Sequence, residues 1–176
     1  MDNNATFIST TIRQFRLPRY SELPDVGLYL EQTTKYINRF LAPLGCQEIT
    51  ASMISNYVKK GLIPKPDKKQ YSAEHLAYLF FVFIAKQLVS MEQITVLIQM
   101  QQESYDLSVA YDYFCDELEN VIFFLFGIKD TIEDLGQSHS EEKDLLRGLL
   151  FSVGHVIYLR ARLDSYCKNK AATLSL

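Results

Sequence analysis

The side chains best placed to do chemistry in this 176-residue sequence are short, polar and helically spaced. In the stretch ITASMISNYVKKGLIPKPDKKQYS, residues 49–72, Ser52, Ser55, Asn56 and Lys59 recur at i, i+3, i+4 and i+7, which puts them on one face of a helix. A face that only has to meet water usually takes Glu, Lys, Gln and Ala, which lose little rotamer freedom in a helix. Ser and Asn are poorer helix formers; what they offer is hydrogen bonding at close range. The edges of bases in a major groove suit them, since Asn pairs bidentately with adenine and Ser bonds either kind of edge. The competing reading is a short amphipathic helix whose polar face is arbitrary.

Charge reinforces the first reading. From Thr50 to Tyr71 there are five lysines (Lys59, Lys60, Lys65, Lys68 and Lys69) and one acid, Asp67, a local charge of +4 in a chain whose net charge is −3. Such a cluster fits phosphates. The expected contacts are bases for Ser52, Ser55 and Asn56, and phosphates for Lys59, Lys60, Lys65, Lys68, Lys69 and Tyr71.

The elements that must position these residues can be read next. Thr50 is an N-cap, and Ile49 and Ile54 flank it as a hydrophobic staple. Met53, Ile54, Tyr57 and Val58 make the core face, and Gly61 ends the helix after about ten residues. Pro64 and Pro66 stiffen the loop that follows, and Ser72 caps a further helix with Glu74 in its first turn. Helix, glycine, short basic hairpin, helix is the plan of a winged helix-turn-helix.

The run Thr50-x-x-Met53-Ile54-x-x-Tyr57-x-x-x-Gly61-Leu62-Ile63-Pro64, then Tyr71 and a helix, resembles the DNA-binding domain of MerR-type regulators over roughly Gly45 to Ile98. The longer pattern, with Leu17-Pro18-Arg19-Tyr20 and Leu23-Pro24 ahead of it, resembles the bacterial family designated domain of unknown function 1836. The MerR resemblance implies duplex DNA as the partner. The chain departs from the MerR pattern at Ser52 and Ser55, where arginines are typical, at Asn56, where an aromatic is, and at Gln70 or Ser72, where an arginine flanks the wing tyrosine.

Other chemistries have weaker support. His75, His139 and His155 have no histidine partner at i+4, and Cys46, Cys115 and Cys167 form no CxxC. Neither a phosphate-cradling glycine loop nor a nucleophile motif occurs, so no enzyme, metal or cofactor is expected. His155 reads as a core histidine. Three scattered cysteines read as reduced thiols of a cytoplasmic protein. The polar Met1–Thr11 segment does not read as a signal peptide, and the longest apolar run, Leu76–Ala85, is ten residues, too short to cross a bilayer.

Along the rest of the chain, Met1–Thr11 is expected to fray. Thr11–Tyr20 carries Arg13, Arg16 and Arg19 among aromatics; it reads either as a DNA-touching arm or as a segment pinned by Phe15 and Tyr20 with its arginines solvated. Periodicity predicts helices over Val26–Ala42 (capped by Asp25), Ser72–Leu88, Ser90–Gln102, Tyr105–Phe126 and Glu141–Lys168 (capped by Ser140). The Leu76–Leu88 stripe is apolar nearly all round, which implies deep burial or a second subunit. From Glu103 to Asp144, twelve acids and two lysines give a local charge of −10, read as a solvated face. Tyr105, Tyr111, Tyr113, Phe114, Phe123, Phe124 and Phe126 could line a pocket for a small-molecule effector, though core or dimer interface suits their spacing better.

The expected fold is all-α with a small β-wing: an N-terminal arm (1–24), a MerR-like winged-helix DNA-binding domain (25–102) and a helical dimerisation or effector module (103–176). The expected function is sequence-specific DNA binding in transcription regulation, as a homodimer. The other class considered is a protein-interaction module that keeps the scaffold without DNA, favoured by the missing arginines and the acidic C-terminal half.

Overall fold

Thr50 begins the helix that carries the polar stripe. In the computed structural model, which describes residues 11–135 and 140–174, its Oγ1 accepts the Met53 backbone N–H at 3.2 Å. Both staple residues, Ile49 and Ile54, are buried. Residues 11–13 are helical; beyond them, the helix labelled α1 spans Leu30–Leu41 and α2 spans Ala51–Lys59. Gly61, at φ 74°, ends α2. There Leu62 N–H reaches the Tyr57 carbonyl and Gly61 N–H the Val58 carbonyl, both at 3.0 Å. These are the two bonds of a Schellman motif, and they turn Leu62 and Ile63 back into the core.

Four further helices follow: α3 (Ala73–Ala85), α4 (Met91–Ser104), α5 (Leu107–Leu125) and α6 (Glu141–Leu174). A single small antiparallel sheet is present among the described residues, β1 (Leu28–Tyr29) against β2 (Gln70–Tyr71), with Leu28 opposite Tyr71 and Tyr29 opposite Gln70. The chain is therefore mostly helical with a two-stranded sheet.

The partner of β2 corrects the expectation for α1. Val26–Tyr29 lies ahead of the helix, and Val26 and Tyr29 are exposed at 68% and 56% rather than facing the core. Asp25 is not the cap; Tyr29 holds the N-cap position, and its N–H donates to Gln32 Oε1 at 2.9 Å. Gly27 explains the choice, because a Cβ there would sit 2.7 Å from the Gln70 Cβ. Only a glycine lets β1 come this close to β2.

Helix α3 is the hub. From His75 to Ala85 every residue is buried except Phe81, which is partly so. The apolar run is covered by its own chain, so it does not require a second subunit. The helix stops at Ala85, three residues short of expectation, and Leu88 is 47% exposed. His75 stands in the reciprocal position of the Ser72 cap: its Nδ1 accepts the Ser72 N–H at 3.0 Å. The Ser90–Gln93 capping box of α4 is formed, with bonds of 2.8 and 3.3 Å. Ser140 caps α6 by accepting the Lys143 N–H at 3.3 Å. Leu149, Leu150, Val153 and Ile157 of α6 are buried, but Leu163 is 53% exposed, and His155 too lies at the surface, against expectation.

One hydrophobic cluster runs from Ile12 to Ile157. The expected boundary at residues 102/103 falls inside α4, and the cluster includes residues on both sides of it. The Thr11–Tyr20 segment shares that core through Ile12, Phe15 and Leu17. Its backbone is gripped by α5: Leu17 N–H donates to Glu119 at 2.9 Å, and Tyr20 N–H to Asp112 at 2.7 Å. Arg19 pairs with Glu119 and Asp116, both at 2.7 Å, which holds its guanidinium far above its ordinary pKa. The acids of α5 are thus not simply a solvated face. Three of them bind the N-terminal segment, and Glu117 is buried with Tyr113 (2.9 Å) and Arg147 (3.2 Å). The expected fraying of Met1–Thr11, and His139, fall on residues outside the described ones, Thr11 apart.

Candidate nucleic-acid interface

Helix α2 presents its polar stripe outward. Ser52, Ser55, Asn56, Lys59 and Lys60 are all exposed, while Ile54 and Tyr57 on the opposite side are buried. Among the described residues, the Ser52 and Asn56 side chains make no hydrogen bond. Ser55 differs: its Oγ donates to the Ala51 carbonyl at 2.9 Å, which commits its proton to the helix backbone.

The start of α2 is fixed from α1. Asn38 Nδ2 donates to the Ile49 carbonyl at 2.9 Å, and Ile49 N–H donates to Asn38 Oδ1 at 2.8 Å. These bonds satisfy both backbone groups of the residue before the N-cap. Asn38 was not foreseen from sequence; one polar residue among several on the amphipathic α1 carried no local signal of this role.

The basic loop ends in a tight turn. Gln70 N–H donates to the Asp67 carbonyl at 2.7 Å, and the two residues between, Lys68 and Lys69, have φ of 47° and 67°. Positive φ at both central positions belongs to the mirror-image turns that normally take Asn-Gly or Gly-Gly. Each residue bearing a Cβ there costs roughly 1–2 kcal/mol of backbone strain. Lys65, Lys68 and Lys69 are exposed, and among the described residues none of the five lysines of the cluster makes an ion pair. Lys60 lies near Glu92 at the start of α4. The Glu92 carboxylate is held below its usual range by its own backbone N–H and by Ser90, with smaller contributions from Lys60 and Lys86.

Tyr71 is a correction. It was expected at the surface against phosphate, but it is 5% exposed, with its ring edge-on to His75 at 5.5 Å between centroids. The alternation of β2 explains this: Gln70 points out and Tyr71 in. The structure therefore leaves eight expected site residues exposed and places the ninth in the core.

Other chemistry is sparse. Among the described residues no group of three or more His, Cys, Asp and Glu could hold a metal ion. Burial pushes the Cys46 thiol up to about 11 and the Cys115 thiol up to about 12, which disfavours their thiolates. No helix among the described residues is long and apolar enough to cross a membrane. Searches against curated proteins and against solved structures gave no match. The family model described as Domain of unknown function (DUF1836) matches residues 18–114, over half of the chain, from the gripped N-terminal segment through α2, the basic turn and α3 into α5. The chain belongs to that family.

Proposed function

We propose that this chain is a cytoplasmic, non-catalytic transcriptional regulator that binds duplex DNA through a MerR-like winged helix-turn-helix. In this reading α1 and α2 form the helix-turn-helix, and the Asp67–Gln70 turn is the tip of the wing. Asn56 and Ser52 read base edges; Ser55 offers an acceptor, its proton being committed to Ala51. Lys59, Lys60, Lys65, Lys68 and Lys69 meet phosphates.

The observation that carries the proposal is the turn. Two lysines occupy consecutive positive-φ positions where uncharged Asn-Gly would relieve the backbone. They are exposed, and among the described residues no ion pair or side-chain hydrogen bond offsets the strain. A polyanion would supply that partner.

A homodimer fits the same reading. Apolar side chains remain exposed on α6 at Leu145, Leu159 and Tyr166 (47%, 58% and 66%), spaced by multiples of seven, with Leu163 beside them. A groove of about 590 Å³ lined by Leu88, Val96 and Leu145 lies at the Leu145 end of this stripe. Antiparallel pairing of two α6 helices would set the acidic first turn (Glu141, Glu142, Asp144) by the basic Arg160, Arg162, Lys168 and Lys170 of a second copy. Two-fold symmetry would then offer two α2 helices to half-sites about one DNA turn apart.

The second reading, an interaction module without DNA, is favoured by one observation. The Ser55 hydroxyl turns to the backbone where an arginine would reach outward. Selection of random duplexes by the wild type and by Asn56→Ala tests the proposal. Loss of preference at one base position, worth about 1–3 kcal/mol, is expected; recovery of no preferred sequence by the wild type would contradict it.

A further inference from the structure

Tyr29, which its helical periodicity would place in the core, is turned outward. It stands in β1 opposite Gln70 of β2, one residue from Lys69, and is 56% exposed. Residues directly opposite in an antiparallel pair share a face. The inner face holds the partly buried Leu28 and the buried Tyr71; the outer face holds Tyr29 and Gln70, both exposed. Gln70 does not fill the space outside. Its side chain lies back over Gly27, where a Cβ would meet its Oε1 at 3.2 Å and its Cδ at 3.3 Å. The outward group at the base of the lysine turn is therefore the Tyr29 ring.

The Tyr29 backbone is fixed twice, by pairing with β2 and by the N–H bond to Gln32 Oε1 at 2.9 Å. Its side chain is held by nothing: among the described residues the hydroxyl makes no hydrogen bond and the ring meets no other aromatic ring. A tyrosine turns about only two side-chain bonds, so ordering it against a ligand costs little entropy. It suits a partner with an acceptor for the hydroxyl and an apolar edge for the ring. A DNA strand offers both, in a phosphate oxygen and the sugar beside it. Lys68 and Lys69 bring positive charge to the same edge of the sheet. The acids closest along the chain, Asp25 and Glu31, flank β1, and Glu31 lies in the first turn of α1, where the helix dipole favours a carboxylate.

We propose that Tyr29 is a further DNA-contacting residue, its hydroxyl donating to a phosphate beside those met by Lys68 and Lys69 and its ring covering the adjoining sugar. This rests on the DNA reading of the turn and adds a neutral contact to it. Such a contact carries no base preference. It releases no counterion either, because tyrosine brings no positive charge. The lysines supply attraction, and Tyr29 fixes where the turn sits along the strand.

The test is an anisotropy titration of a labelled random-sequence duplex at several salt concentrations, with wild type, Tyr29→Phe, Tyr29→Ala and Lys68→Gln. Tyr29→Phe removes the hydroxyl alone. It should weaken binding by about tenfold or more at every salt concentration, the effect of losing a hydrogen bond to a charged group. The slope of log affinity against log salt and the melting temperature should not change. Tyr29→Ala, which also removes the ring, should bind more weakly still. Lys68→Gln should instead lower the slope by about one unit. The proposal is overturned if Tyr29→Phe binds as tightly as wild type, alters the salt slope, or loses affinity only with a lowered melting temperature. Wild-type binding that Tyr29→Phe leaves untouched would keep the DNA reading and remove Tyr29 from it. Absence of duplex binding by the wild type would remove both.

Discussion

The Asn38 side-chain amide is bonded twice to the backbone of Ile49, as donor at 2.9 Å and as acceptor at 2.8 Å. It ties α1 to the residue before the α2 cap, so a side chain eleven residues upstream adds to the buried Ile54 and Tyr57 in orienting the polar stripe. Replacing Asn38 by Leu strands a buried N–H and carbonyl, each of which costs about 1–3 kcal/mol when left unpaired. Asn38→Leu should therefore lower the urea midpoint with an unchanged m-value. Loss of less than about 0.5 kcal/mol, the range of ordinary surface changes, would mean that the amide does not fix α2.

Arg19 makes a second long-range tie, to Asp116 and Glu119 on α5. Both Arg19 and Glu119 are mostly shielded, with side chains 21% and 14% exposed. Arg19→Met keeps the aliphatic stem and removes the charge. It should destabilise by about 1–3 kcal/mol, the cost of breaking hydrogen bonds to charged groups. It should also expose the 11–20 segment to protease. A variant as stable and protease-resistant as wild type would show that the ion pair adds nothing to the buried Phe15 and Leu17.

The cysteines give a prediction in pH. Raised thiols at Cys46 and Cys115, about 11 and about 12, stay protonated at pH 8, whereas Cys167 is exposed. Iodoacetamide at that pH should label Cys167 alone in the native protein. A raised folded-state value favours the protonated native form. Stability is therefore full below the unfolded thiol value of about 8.5 and falls as pH rises towards 11 and 12. Mass spectrometry showing rapid native labelling of Cys115 would contradict its burial.

Oligomeric state offers a direct check on α6. Light scattering behind a sizing column should give twice the 20.3 kDa chain mass at tens of micromolar. Leu159→Glu with Leu163→Glu should give the monomer without unfolding it, since both side chains are exposed. A wild-type monomer would remove the dimer from the account.

Local chemistry made much of the fold legible in the sequence. The Thr50 cap, the Gly61 stop, the Ser90–Gln93 box and the Ser140 cap each depend on neighbours within a few residues, and each forms. What escaped depends on distant partners. Leu28–Tyr29 became a strand because Gly27 admits Gln70, far along the chain. Asp112, Asp116 and Glu119 looked solvated because their partners lie roughly a hundred residues upstream. Of the candidate interface, the exposed stripe and lysines followed from periodicity and charge. Tyr71 did not, because a two-residue strand gives too short an alternation to assign its inner face. The positive φ of Lys68 and Lys69 could not be foreseen either, since lysine is not a residue that announces such a turn.

The strained turn separates stability from binding. Lys68→Asn with Lys69→Gly should relieve the positive-φ positions and raise stability by about 1–2 kcal/mol, while weakening binding to DNA. A variant that is more stable and binds DNA as tightly as wild type would show that the lysines serve no phosphate.

The central claim is tested most directly by titrating labelled duplex DNA, specific and random, at several salt concentrations with wild type and with Lys68→Gln, Lys69→Gln. The account predicts measurable wild-type binding at low salt that weakens steeply as salt rises. The double variant should remain folded and bind both duplexes more weakly, with the slope of log affinity against log salt reduced by about one unit for each phosphate no longer neutralised. Absence of duplex binding by the wild type at low salt, where attraction is least screened, would contradict the account, and an unchanged slope in the folded double variant would exclude the turn from the interface.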